Sequence, residues 1–487
     1  MKKWVVPLLV IALVLTLLPV GALAAPPTQQ PGVKIEGKIY TVGPRETLSL
    51  IAARDFGDVL AYPAIVYYNN FAAQTNPQLT KITDPNALKE GDVILIPTAE
   101  LVQAYLAGER IGPAKGDTPP DDAWGVVTVG PGEPVRIGFA AALSGAGVDV
   151  LGLDEKRGAE LAVADRPKLA GHPVELVVED DLCSGEGGTA VANKFVADPT
   201  IVAVVGNMCS SSSIPASDIY ERAGYTMVSP SSTAVAFTAR GLRAANRVCW
   251  SDAIQGPAAA KFAFEKLGVR KVATIHDGSP YGEGLVNAFA EAFKAMGGEV
   301  VAQEAVSVGD TDMRPVLTKI SVNKPELIYF GGFVAEGAFL ASQRADVGME
   351  NVIFMGADGI KAEDFIKSAG AAAEGVYASA ADLATAGPGV NAFMAKYEAT
   401  YGEKPPAPFH LHAYDAVNVI MDAIYHSAVQ GPDGTLWIGR EALNRAVRAT
   451  TGYQGLSGVI TCQPNGDCGT GTVAISKVVN GQWAPAQ

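Results

Sequence analysis

Charge is thin in this sequence. Only 18% of its 487 residues are Asp, Glu, Lys or Arg, and 51 acidic side chains outnumber 37 basic ones, for a formal charge of −14. Clustered Lys/Arg runs interleaved with aromatics are missing, which argues against nucleic acid as a partner. The five histidines, His172, His276, His410, His412 and His426, are scattered. His410 and His412 alternate around Leu411 instead of taking the i, i+4 spacing of a zinc-binding helix, so neither a metal nor a cofactor is expected. Catalytic signatures are lacking as well: GNMCS (Gly206–Ser210) is not a G-x-S-x-G elbow, and HExxH and catalytic Cys/His patterns do not occur. Asp180 and Asp181 are adjacent at a strand end, where neighbouring side chains point apart, so they are a poor acid–base pair. The expectation is a protein that is not an enzyme.

What is present begins with length and apolar content. A chain of 487 residues implies two or three domains, and 48% apolar residues are enough for a sizeable core. Residues 1–25 read as a signal peptide: Lys2 and Lys3, an apolar run Trp4–Val20, then a small-residue cleavage site, Ala22-Leu23-Ala24. An uncleaved membrane anchor is the alternative, because the run approaches spanning length; the A-x-A ending favours cleavage. No Cys follows the run, so a lipid-bearing N-terminal cysteine is not expected, and no later segment is apolar enough to span a bilayer. The protein should then be extracytoplasmic, secreted or periplasmic, where disulfides persist. Cys462 and Cys468 bracket the turn-forming QPNGD and should close a small loop; a zinc site there would need a second pair. Cys249, between Val248 and Trp250, reads as a buried free thiol.

Residues 39–97 form a compact unit: a strand in YTV, a turn at Pro44, a helix capped near Thr47, a second helix at about 62–70, and a closing strand in KEGDVILIP. Leu48, Ile51, Ala52 and Phe56 recur at helical spacing. About 60 residues make a marginal core. YTV…ETLSLIA and KEGDVILIP resemble a LysM domain, here 38–98. The resemblance implies binding to the N-acetylglucosamine backbone of peptidoglycan or chitin, and so cell-wall association. A module of the same shape without sugar affinity is the alternative. Residues 99–133, rich in Pro, Gly and Asp apart from LVQAYLAG, read as a semi-extended linker.

From Val135 strand-like runs (VRIGFAA, PVELVVED, IVAVVG, YTMVS, VATIHD, ELIYFGG, VIFMG) alternate with helical stretches, beginning at about Gly158, Gly188, Gly256, Gly284 and Arg314. Such alternation predicts right-handed βαβ units in open parallel sheets. Within it, residues 201–241 stand out. A buried strand (Ile201–Val205) leads to a Ser-rich turn (Asn207–Ser213) and a helix opening near Pro215. A short strand (Tyr225–Val228) then ends in hydroxyls from Ser229 to Thr233. Ligands of α/β domains sit where strand carboxyl ends meet helix amino ends, and such a rim suits a carboxylate. Ser and Thr that only cap helices would look the same.

VVGNMCSSSSIPASDIYERAG and SPSSTAVAFTARG, with DDLC (Asp180–Cys183), QGPAAAKF (Gln255–Phe262) and IHDGSPYGEG (Ile275–Gly284), resemble the leucine/isoleucine/valine-binding proteins, soluble receptors of branched-chain amino acid ABC importers. The likeness runs from about Pro134 to the C-terminus. It implies a two-lobed periplasmic-binding-protein type 1 fold, two open parallel sheets flanked by helices, after the α+β LysM unit. Lobe 1 would be about 134–252 and 381–458, lobe 2 about 253–380 and 459–487. Hinge crossings would fall near Ser251–Ile254, Ala380–Thr385 and Leu456–Thr461.

The same resemblance implies a Cys183–Cys209 disulfide beside the pocket, contributing roughly 3–4 kcal/mol on the chain-entropy estimate. It implies that the Ser210 hydroxyl and amide bind a ligand carboxylate, helped by the Thr233 amide. The Ser231 carbonyl and Thr233 hydroxyl would meet an ammonium, with Ser232, Met208 and Cys209 completing this wall. Asp358 would supply the buried ammonium with its counter-charge, one methylene shorter than the family's Glu. Tyr281 matches a pocket aromatic of lobe 2, Phe333 stands where the family has Tyr, and no aromatic occupies the position near Leu151. Phe409 is a weaker candidate wall, with core packing as the competing role. The implied partners are a small amino acid-like ligand and a membrane permease, for a monomeric receptor of a branched-chain or other apolar amino acid. Receptors for a small amide or non-proteinogenic amino acid, ligand sensors and LysM-tethered wall hydrolases are the alternatives.

Overall fold

A computed structural model describes residues 35–73, 76–83, 85–106, 113–145, 147–382, 386–387, 389–469 and 472–486. The expected signal peptide lies outside the described residues, among which no helix is long and apolar enough to cross a membrane.

The N-terminal unit pairs strand Gly37–Thr41 antiparallel with Val93–Pro97. Helices Leu48–Phe56 and Tyr62–Ala72 lie between them in the chain. Thr47 caps the first by accepting a hydrogen bond from Leu50 N, and Leu48, Ile51 and Ala52 are its buried face. The buried Asn69 ties helix to strand, donating to the Thr80 carbonyl and accepting from Leu95 N.

The stretch read as a linker is more ordered than its composition implies. Ala99–Leu106 is helical and buries Val102 against the N-terminal unit. Ala114–Lys115 and Val126–Val129 join the hairpin strands Val429–Gln430 and Leu436–Gly439 in a four-stranded sheet. The period-2 burial of Val127 and Val129 is the physical reason; a Pro/Gly-rich background hid a four-residue strand.

The remainder forms two lobes. In lobe 1 the strand order is Ala245–Arg247, Met227–Ser229, Ile201–Gly206, Val135–Ala141, His172–Asp180, Lys168–Leu169. All neighbours are parallel except the last pair. In lobe 2 Glu299–Ala305, Lys271–His276, Leu327–Gly331, Ile353–Gly356 and Tyr377–Ala381 run parallel. Val473–Val479 and Gln482–Pro485 add antiparallel strands. Both sheets are therefore mixed, not purely parallel. Ile201–Gly206 and Leu327–Gly331 are buried throughout, as strands covered by helices on both faces must be.

Helices begin earlier than the glycines suggest. Ser184, Ser251 and Ser279 cap helices Gly185–Ala197, Asp252–Lys261 and Pro280–Ala295 through their side chains. The helix expected to open near Pro215 starts at Ser210 and carries Pro215 inside it. The segment after Leu456 also departs from expectation. Residues 461–468 stay on lobe 1, where Cys468 N donates to the Arg247 carbonyl, and the chain enters the second sheet at Val473.

Candidate ligand cavity

Because the strands of each lobe are parallel, the loops after their carboxyl ends gather on one edge, and the two edges face each other. Between them lies a narrow cavity, with about 300 Å³ of space between protein atoms once the part open to solvent is counted. Lobe 1 lines it with Leu151, Glu155, Met208, Cys209, Ser210 and Ser231, and with Phe409; lobe 2 adds Tyr281, Phe333 and Asp358. The lobes touch at the lip. Gly147 has φ 80°, and a Cβ there would stand 2.9 Å from Ala335 N across the gap.

The lobe 1 wall is built around the Asn207–Ser210 turn. The Asn207 carbonyl accepts hydrogen bonds from the hydroxyls of Ser213, Ser229 and Ser232, at 2.9, 2.7 and 3.2 Å. Asp181, fully buried, accepts from Asn207 Nδ2 and Ser212 Oγ, both at 3.0 Å. Asp180 turns elsewhere, onto Ser144 Oγ and Leu143 N. The Cys183–Cys209 disulfide pins the turn from outside, and the Cys462–Cys468 bridge also forms. Cys249 is free and buried.

Ser210 and Ser231 are on the cavity wall; Ser232 and Thr233 are not. Ser232 is fully buried and donates to the Met208 carbonyl at 2.8 Å, so its hydroxyl shapes the turn instead of facing the cavity. The Thr233 hydroxyl lies against the Asp252 carboxyl. Its carbonyl accepts from Arg247 Nη1 and from Asp252 N, both at 2.9 Å. Helix Ser210–Ala223 begins at the wall; the Ser212 and Ser213 amides are taken by the Cys209 carbonyl, which leaves the amide end at Ser210 on the cavity edge.

Arg247, which the sequence reading passed over, fixes the second hydroxyl loop. Its side chain is 1% exposed, and Nη1 donates to the carbonyls of Ser232, Thr233 and Ala234. Nε pairs with Asp467 at 2.6 Å, inside the loop closed by Cys462–Cys468. The small disulfide loop thus braces the binding wall.

In lobe 2, Tyr281 enters at the start of its helix and Asp358 opens a short helical turn after strand Ile353–Gly356. Gly359 N donates to the Tyr281 hydroxyl, which donates to Asp358 Oδ1 at 3.1 Å. Gln255 Nε2 reaches the same oxygen at 2.5 Å and Ser379 Oγ at 3.0 Å, while its Oε1 accepts from Trp250 Nε1. Phe409 stacks on Trp250, so it serves both core and wall. Phe333 packs on Tyr281 with ring centres 5.4 Å apart.

Burial raises the Asp358 carboxyl to about 6, against the downward pull of the Gln255 and Tyr281 hydrogen bonds. Asp252, fully buried nearby, is pushed well above the usual range by burial and by the Asp358 charge. Burial lowers His412 to about 3, leaving it a neutral ring against Trp250 and Phe409. No group of three His, Cys, Asp or Glu among the described residues could hold a metal. Glu155 and Leu151, neither named as a ligand residue from sequence, complete the wall. The resemblance marks the Leu151 position as one where an aromatic is expected; a helix following a Gly-rich loop is the signal for Glu155.

A sequence model described as periplasmic binding protein matches residues 134–482. The Escherichia coli K12 Leu/Ile/Val-binding protein is 36% identical over 247 residues, 50% of this chain and 66% of that protein, so this chain spans just under two thirds of that relative's length. A Pseudomonas aeruginosa leucine-, isoleucine-, valine-, threonine- and alanine-binding protein is 32% identical over 322 residues, 66% of this chain and 83% of that one. Among solved structures, a Thermotoga maritima leucine-binding protein superposes with TM-score 0.66 at 28% identity, covering 72% of this chain and 98% of the other. A Streptococcus pneumoniae branched-chain amino acid transporter substrate-binding protein in complex with isoleucine gives 0.65 at 26%, with the same coverage. Two facing α/β lobes, a cavity at their strand ends and these likenesses place the chain in the periplasmic binding protein family.

Proposed function

We propose that this protein is the extracytoplasmic substrate-binding receptor of an ABC importer, taking a small amino acid between its lobes and presenting it to a membrane permease. The observation that carries this reading is the polarity across the cavity. Ser210, Ser231 and a helix amino terminus stand on the lobe 1 wall, Tyr281 and Asp358 on the lobe 2 wall. The first set suits a carboxylate and the second an ammonium, each by charge-assisted hydrogen bonds. Opposite charge preferences on the two walls are what recognition of a zwitterion requires. The ligand docks on lobe 1, and closure at Gly147 brings Asp358 over it; tighter binding to the closed form shifts the population. The relatives named for leucine, isoleucine and valine support an amino acid as the ligand class. Titration calorimetry with single amino acids should give saturable heat at one site per chain; absence of heat across the whole set would overturn the receptor reading.

The N-terminal unit fits a cell-wall tether of the LysM kind. Its strand–helix–helix–strand order and antiparallel strand pair support this. Sedimentation with purified peptidoglycan should carry the full chain down and leave a chain lacking residues 37–98 in solution. Equal retention of both would remove the tether.

A further inference from the structure

The cavity contains a carboxyl group that an apolar amino acid would leave stranded. Glu155, on helix Asp149–Asp165 of lobe 1, is fully buried, lines the cavity, and has no hydrogen-bond partner on either carboxyl oxygen. Its polar neighbour on the wall, Ser231, already donates its hydroxyl to the Met208 carbonyl at 3.0 Å. None of the residues lining the cavity is basic. An unpaired buried carboxyl is costly, and the cost persists when the space beside it is filled by a methyl group. Asp358 already answers an α-ammonium from the other lobe, so Glu155 is a second acceptor with nothing assigned to it.

We infer that Glu155 determines specificity, and that the ligand is an amino acid whose short side chain carries a nitrogen donor, an amide or an ammonium, directed at this carboxyl. The inference rests on the amino acid receptor reading above and names its substrate class. The small cavity limits the side chain to a few heavy atoms. Leu151 and Phe409 would pack on its carbons, and Glu155 would take the N–H. Burial and the charges of Asp154 and Asp181 hold the Glu155 carboxyl well above the usual range. A neutral amide therefore satisfies it as a hydrogen-bond partner, and an ammonium satisfies it by drawing the proton off.

Near-isosteric pairs test this: asparagine against leucine, and 2,4-diaminobutyrate against norvaline, titrated calorimetrically into the full chain and into E155Q and E155L. The wild type should bind at least one nitrogen-bearing member at least about tenfold tighter than its apolar twin, the size expected of a hydrogen bond to a charged or strongly polarised group. E155L should reverse that order. E155Q, which keeps the shape, should reduce any preference for 2,4-diaminobutyrate while still binding asparagine, a readout that survives if E155L fails to fold. A wild type that prefers leucine and norvaline would overturn the inference and leave the receptor reading standing. No saturable heat from any amino acid would sink both.

Discussion

The lobe 1 wall of the cavity and the lobe 2 wall are polar for different reasons. On lobe 1 most hydroxyls are committed inward: Ser213, Ser229 and Ser232 all satisfy the Asn207 carbonyl, and Arg247 gathers three further carbonyls behind them. Ser210, Ser231, the helix end and Glu155 are the polar groups of this lobe that line the space between the lobes among the described residues. On lobe 2 the polar groups are few, and Asp358 is positioned through one oxygen by Gln255 and Tyr281. A hydroxyl-rich sequence therefore marks a rigid wall, not a count of ligand contacts. On the proposed reading, the sparse wall carries the carboxylate that answers the ligand's ammonium.

Breaking the rigid wall should have the largest effect. Arg247→Met removes one donor from Asp467 and one from each of three carbonyls, while Thr238 still donates to Asp467 and Asp252 N to the Thr233 carbonyl; it should cost about 2–3 kcal/mol of stability, read from urea unfolding. An unchanged midpoint would show that other contacts hold the 232–234 loop. Asp358→Ala strikes the sparse wall instead. It should weaken amino acid binding about a hundredfold by calorimetry, with little loss of stability, since it removes a buried partner of an ammonium. Comparable loss in both readouts would erase the contrast between the walls.

A pH series separates the walls more gently. Asp358 near 6 must give up its proton to meet an ammonium, so affinity should fall about tenfold from pH 7 to pH 5. Ligand-free stability runs the other way. Asp358 and Asp415, both raised to about 6 by burial, bind protons more tightly folded than unfolded. Their contribution is complete below pH 4 and is lost as pH rises through 6. Flat affinity over this range would remove Asp358 from the ligand. The mildest probe is Gly147→Ala, where a positive φ and the approach to Ala335 N both oppose a side chain. It should lower affinity several-fold by disfavouring closure, while Gly125→Ala, at φ 88° with open space around it, should leave affinity unchanged.

How much of this was legible follows from the range of each signal. Local patterns announced the strands, the Thr47 cap and the site turn, because period and capping are properties of neighbouring residues. Ser184, Ser251 and Ser279 were equally local, but the glycines following them drew the helix starts too late. Gly187 and Gly282 occupy first turns because a Cβ there would meet the backbone carbonyls of Asp181 and Gly331, a packing demand invisible to propensity. Arg247, Gln255 and Glu155 are the real omissions. Gln255 acts on Asp358 and Arg247 on Asp467, both far along the chain, so no window of sequence holds both halves of the interaction. Ser232 erred in the opposite direction: its place in a hydroxyl run said nothing about which way it turns.

The strands on either side of the 116–125 segment have a mechanical consequence. Ala114–Lys115 and Val126–Val129 are stitched into the hairpin strands of lobe 1, and Tyr62 and Asn70 of the N-terminal unit bond to Gln454 and Thr451 of the same lobe. Through these described contacts, tension applied to the N-terminal unit would be delivered to that lobe. Lobe 2 would swing free of the load, like a jaw hinged on a bolted frame, so an anchored molecule could keep opening and shutting while its mooring is pulled.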